Sequence, residues 1–145
     1  MPNISDIKIF FYKLIVLDYL LANSDRHYGN FGFMRNANSL EWLGPAPIFD
    51  SSNSLYFDKS ETFLSNEKNL KEDFISKSFE SKLEIQLLKY KSEIRNLRID
   101  YSALKEKINN ITKLFFADDL ISESRAKLLS KILLNRTKKL IELLY

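Results

Sequence analysis

All three glycines and two of the three prolines of this 145-residue chain fall between Asn23 and Asp58. An all-β sandwich or barrel needs turn residues at short intervals along its whole length. Clustering them in one segment leaves the flanks to helices. The chain has no cysteine, which excludes disulfide and thiolate-metal scaffolds. With 45% hydrophobic and 28% charged residues it suits a globular domain with a buried core rather than a disordered tail. The expectation is a mainly α fold, with residues 1–145 forming a single domain.

Four stretches follow from the pattern. Over 5–22, Ile7, Phe10, Phe11, Leu14, Ile15, Leu17 and Leu21 recur at helical spacing, with Ser5 as N-cap and Asp6 in the first turn. Lys8, Lys13 and Asp18 interrupt this run, so it reads neither as a secretory signal nor as a membrane span, and a cytoplasmic location is expected. Stretch 23–58 reads as a loop and a small hairpin, with strands at 30–34 and 46–49 joined by the turn-rich 35–39. Stretch 59–77 is a polar loop, with room for one short helix, pinned by Phe63, Leu64, Leu70, Phe74 and Ile75.

Stretch 78–145 is a helical subdomain. Its apolar stripes are Phe79, Leu83, Leu87, Tyr90, Ile94 and Leu97; then Leu104, Ile108, Ile111 and Phe115; then Leu128, Leu129, Ile132, Leu133, Leu140, Ile141 and Leu144. Ser122 starts the last helix. Lys127, Lys131, Arg136, Lys138 and Lys139 make that helix basic, but a solvated face explains them better than direct nucleic-acid binding at a net charge of only +3.

The chemistry concentrates in Asp25-Arg26-His27-Tyr28-Gly29-Asn30-Phe31-Gly32 and in Pro47-Ile48-Phe49-Asp50-Ser51-Ser52. Phosphoryl transfer needs a carboxylate to orient and deprotonate the attacking hydroxyl, and oxygen ligands that hold Mg²⁺ on the phosphates. Asp25 and Asn30, five apart, have the spacing of a catalytic-loop base and metal-binding Asn. Asp50 then supplies the second carboxylate, and one Asn with one Asp is a sufficient set of hard oxygens for Mg²⁺. The plain alternative for Asp25 and Asn30 is a turn after a helix. His27, the single histidine, reads as a loop-shaping residue bonded to nearby backbone, with a general-base role as the alternative. Arg26 either pairs with a phosphate or carboxylate or lies on the surface. Asp18 and Asp58 read as helix-surface and loop carboxylates, and Phe10, Phe11, Phe31, Phe33 and Phe49 as core.

These two strings resemble the catalytic half of HipA-like serine/threonine kinases, the toxin components of bacterial toxin-antitoxin systems and their relatives. The approach Leu-Asp-Tyr-Leu-Leu-Ala-Asn-Ser at 17–24 and Ser78-Phe79-Glu80-Ser81 entering a long helix are also similar. The resemblance implies the helical C-terminal lobe of a bilobal kinase, with Asp25 as catalytic base and Asn30 and Asp50 as Mg²⁺ ligands. It also implies transfer of the ATP γ-phosphate to a Ser or Thr hydroxyl of a protein substrate, a class associated in these kinases with translation. Asp-Arg-His-x-x-Asn is also similar to the loop of phosphoinositide kinases, which makes a lipid-kinase relative a further alternative. Ser52 stands where the family usually has glycine. A demand for positive φ there would strain it.

No Gly-x-Gly-x-x-Gly occurs in the chain, and the first helix begins almost at Met1, so the expectation is a C-lobe with the N-lobe absent. ATP and Mg²⁺ would then bind only with a complementary N-lobe. The expected partners are a separate N-lobe chain or an antitoxin. The rival reading, from another class, is a non-catalytic pseudokinase-like interaction module.

Overall fold

The structure, a computed structural model, describes residues 3–71, 75–76 and 80–145. Helix α1 spans Ile4–Leu21. Its N-cap is Asn3, whose Oδ1 accepts from Ser5 N at 3.0 Å, so Ser5 is a first-turn residue rather than the cap. The helix ends at Ala22 in the left-handed region at φ 51°, with Asn23 N donating to Asp18 O at 2.9 Å, a Schellman-type closure.

A short antiparallel hairpin follows, with β1 at Phe33–Arg35 and β2 at Trp42–Pro45. Both strands lie away from the expected 30–34 and 46–49. The intervening turn sets the register. Asn36 Oδ1 accepts from Asn38 N and Ser39 N, and Asn36 N donates to Glu41 O at 2.8 Å, so Trp42 is placed opposite Arg35. The pairing skips Leu43, a bulge that Gly44 accommodates at φ 110°. Ala46 N still donates to Gly32 O at 2.8 Å, but 46–49 continues as irregular chain.

The polar stretch carries α2 at Glu61–Ser65, a 3₁₀ turn at Asn69–Lys71 and strand β3 at Ile75–Ser76, which pairs with β4 at Ser81–Lys82. Leu64 is its buried anchor, whereas Ile75 is 61% exposed. Phe74, Ser78 and Phe79, singled out above, lie outside the described residues. The long helix expected after Glu80-Ser81 is instead α3 at Leu83–Lys89 and α4 at Lys91–Asn96, broken at Tyr90 (φ −112°, ψ 24°). Helices α5 at Tyr101–Ala117 and α6 at Glu123–Leu144 complete the chain, and Ser122 caps α6 through its side chain on Arg125 N.

The fold is thus mainly helical, and α6 runs through both halves of its core. Leu140 and Leu144 join Ile15, Val16, Tyr19, Leu20, Leu83, Leu87 and Ile94 in one buried cluster. Leu129 and Ile132 join Ala22, Tyr56 and Leu64 in the other. Arg136 of α6 donates to Tyr19 O at 2.6 Å and stacks 4.4 Å from the Tyr19 ring centroid, locking the last helix to the first. Among the described residues no helix is long and apolar enough to cross a membrane.

Candidate active site

The candidate site is built on the C-terminal end of α1. Three turns into that helix the buried stripe of Leu14, Ile15, Tyr19 and Leu20 includes Asp18, which is 2% exposed. This corrects the surface assignment of Asp18: it lies three and four residues beyond Ile15 and Leu14, on the face they bury. Arg26, fully buried, folds back onto it. Nε donates to Asp18 Oδ1 and Oδ2 at 3.2 and 3.0 Å, and Nη2 donates to Asp18 Oδ1 at 2.8 Å. Asn23 Nδ2 also donates to Asp18 Oδ1 at 3.0 Å, while Asn23 Oδ1 accepts from Asp25 N at 3.1 Å. The start of the loop is therefore tied to the helix it leaves.

The other edge of the guanidinium reaches both candidate strings. Nη1 donates to Asn30 O at 3.1 Å and to Phe49 O at 2.9 Å, and Nη2 lies 3.4 Å from Ser51 Oγ. One nitrogen thus holds the carbonyl of Asn30 beside that of the residue preceding Asp50. A second tie runs through Asn53. Its carbonyl accepts from Ser24 N at 3.1 Å, and its Nδ2 donates to Asp25 Oδ2 at 2.7 Å. Nothing in the sequence pattern singled out Asn53, which sits in a Ser- and Asn-rich turn.

Asp25 is half-buried and Asn30 is buried. The 3₁₀ turn Tyr28–Asn30 separates them, and Asn30 Nδ2 lies 3.4 Å from Asp25 O. His27 Nδ1 accepts from Gly29 N at 3.1 Å, the backbone bond expected of a loop-shaping residue. A Cβ on Gly29 would come within 3.1 Å of that ring, so a larger residue there requires the exposed imidazole to shift. Aromatic edges seat the loop on α1: Phe31 meets Phe11 at 5.1 Å, and Phe33 meets Phe10 at 5.8 Å. Phe49 is not core, being 47% exposed.

Asp50 is exposed and follows irregular chain rather than a strand end. It takes φ 52°, so the left-handed position expected at Ser52 falls two residues earlier, on a residue type that tolerates it. Ser52 donates to Asp50 Oδ1 at 3.1 Å. The structure therefore draws Asp25, Asn30 and the Phe49-Asp50 peptide around one buried arginine.

The donor set fits Mg²⁺. With its NH₂ turned to the Asp25 carbonyl, Asn30 offers Oδ1, and Asp50 offers a carboxylate, both hard oxygens. Among the described residues no group of three or more His, Asp or Glu side chains could cage a metal alone. A cation here would complete its shell with water or phosphate oxygens, as Mg²⁺ in phosphoryl-transfer sites does.

Comparison places the chain among the relatives of a serine/threonine kinase. That kinase is CtkA of Helicobacter pylori, to which a 50-residue stretch, 34% of this chain and 15% of that protein, is 52% identical. The crystal structure of a Helicobacter pylori proinflammatory kinase CtkA matches with a TM-score of 0.70 at 30% identity, covering 95% of this chain and 55% of that one. The chain is homologous to CtkA and spans about half the length of the solved kinase. No family model matches it.

Proposed function

We propose that the chain is the catalytic-loop half of a HipA-like, ATP-dependent serine/threonine protein kinase. The observation that carries this reading is the convergence of the 25–30 loop and the Phe49-Asp50 peptide on Arg26, supported by the homology to a serine/threonine-protein kinase. In this reading Asp25 orients the attacking Ser or Thr hydroxyl and accepts its proton. Asn53 fixes the rotation of that carboxylate through Oδ2. Asn30 and Asp50 hold Mg²⁺, which when bound neutralises charge on the transferring phosphoryl group. His27 keeps the turn between base and metal ligand in shape without touching the reaction.

Residues that grip the ATP phosphates are a separate requirement, and a Gly-x-Gly-x-x-Gly loop is not among these 145 residues. The complementary part therefore comes from outside this sequence, as further chain or as a partner. Met34, Trp42 and Leu43, exposed on the hairpin that links the two strings, offer it an apolar surface.

The test is labelling of a Ser/Thr peptide from γ-labelled ATP and Mg²⁺ by the 145-residue chain, alone and mixed with the product of the neighbouring reading frame. The expected result is no labelling alone and labelling with the complement. Asp25→Asn should lower that labelling about 100-fold or more, the scale of a lost general base. Co-elution without labelling would favour the interaction-module reading, and labelling of phosphoinositide in place of peptide a lipid acceptor. Robust labelling by the isolated chain, removed by Asp25→Asn, would overturn the requirement for a complement.

A further inference from the structure

A buried ion pair is a poor device for stability alone, because an apolar pair of similar volume serves as well or better. Asp18 and Arg26 are nonetheless buried at the junction of the two candidate strings. Asp18 takes up one edge of the guanidinium, and the opposite nitrogen binds two backbone oxygens that belong to, or directly precede, the candidate metal ligands. A carbonyl held at Phe49 fixes the plane of the 49–50 peptide. That plane helps set the Asp50 backbone at φ 52°, a left-handed conformation that Asp tolerates but does not prefer. The Asp18 carboxylate also cancels the arginine charge, so a cation bound nearby does not face a bare guanidinium.

We infer that Arg26, seated on Asp18, is the positioning residue of the metal site, setting Asn30 and Asp50 in register without touching metal or substrate. This rests on the kinase-site reading above. Lysine in its place would keep a charge for Asp18 but lacks the planar fork that holds the Asp18 carboxylate on one edge while Nη1 holds both carbonyls.

The experiment is a Mn²⁺ titration of the 145-residue chain together with the complement that supports labelling and a non-hydrolysable ATP analogue, read by selective broadening of the Asn30 side-chain amide and Asp50 backbone amide signals. Arg26→Lys is expected to weaken Mn²⁺ about 10- to 100-fold, as loss of a ligand-orienting partner does, while the far-UV circular dichroism and core amide signals stay in place. A folded Arg26→Lys chain that binds Mn²⁺ within about twofold of the parent would overturn the inference. Should Arg26→Lys not fold, the parent chain decides. The Arg26 Nε–H signal should move in a Mg²⁺ titration with the midpoint of the Asp50 amide, and an unmoved signal would overturn the inference. A parent chain without site-selective broadening, or an Asn30→Ala chain that binds as well as the parent, would instead sink the kinase-site reading itself. That outcome differs from a clamp failure, in which parent and Arg26→Lys bind alike and Asn30→Ala does not.

Discussion

Asp18→Asn removes the carboxylate from a fully buried guanidinium. The expected cost is about 3–5 kcal/mol in urea unfolding, since stripping one partner from a buried pair leaves the other charge desolvated and uncompensated. Asp18→Leu combined with Arg26→Met should recover most of that stability, and full additivity of the two single losses would contradict it. Much of the site was legible at this scale. Asp25 and Asn30 stand out by their spacing, Asp50 by its place after a Phe-flanked segment, and His27 as a loop-shaping residue, because such readings attach to residue types at short separations. A carboxylate partner for Arg26 is one of its two open readings and is the one found, but Asp18 reads as a surface carboxylate because an ion pair eight residues apart has no period. The available signal was a carboxylate on the buried stripe of a helix, within reach of an arginine just beyond that helix's end.

At the scale of elements, α6 clamps the segment that follows the site. Leu55 and Tyr56 take left-handed φ values of 52° and 56°. Arg125 spans the strained turn, with Nη1 on Lys59 O at 2.8 Å and Nη2 on Tyr56 O and Phe57 O at 3.2 Å each. Ser122, the cap of the same helix, donates to Glu61 Oε1 at 2.5 Å and so holds the Glu61 carboxyl below its ordinary value. Arg125→Ala should cost about 2 kcal/mol in chemical denaturation, in the range of a charged hydrogen-bond donor, and an unchanged midpoint would refute the clamp. The helices were readable from apolar periodicity, and 5–22 differs from the observed Ile4–Leu21 by one residue at each end. The strands were not. Their placement depends on the Asn36 turn and the Leu43 bulge, which shift the pairing to Trp42–Pro45. The break at Tyr90 was missed for a related reason, because Leu83, Leu87 and Ile94 keep helical spacing on either side of it.

For the molecule as a whole, α6 is the element on which both core clusters depend. At 22 residues it is roughly 33 Å long, enough to run past both clusters. Its basic residues are mostly spent on the fold: Lys131 reaches Glu67, Lys139 reaches Glu84, and Lys127 and Lys138 pair along the helix with Glu123 and Glu142. Leu140→Ala, at a fully buried position facing α1, should cost about 2–5 kcal/mol in thermal or urea unfolding. A loss below about 1 kcal/mol would mean that α1 does not rely on the last helix.

The lock between Arg136 and Tyr19 joins residues 117 positions apart, and it bears on synthesis. The apolar face of α1 finds Leu140 and Leu144 only after nearly all of these residues have been made. Closing so distant a contact delays folding until the entropy of the intervening chain can be offset. During translation the loop that carries Asp25 therefore emerges before α1, the helix it leaves, has its α6 partner. Its settled geometry waits for α6 to leave the ribosome, so the site is assembled after the residues that separate the loop from the last helix, not as the loop itself is made.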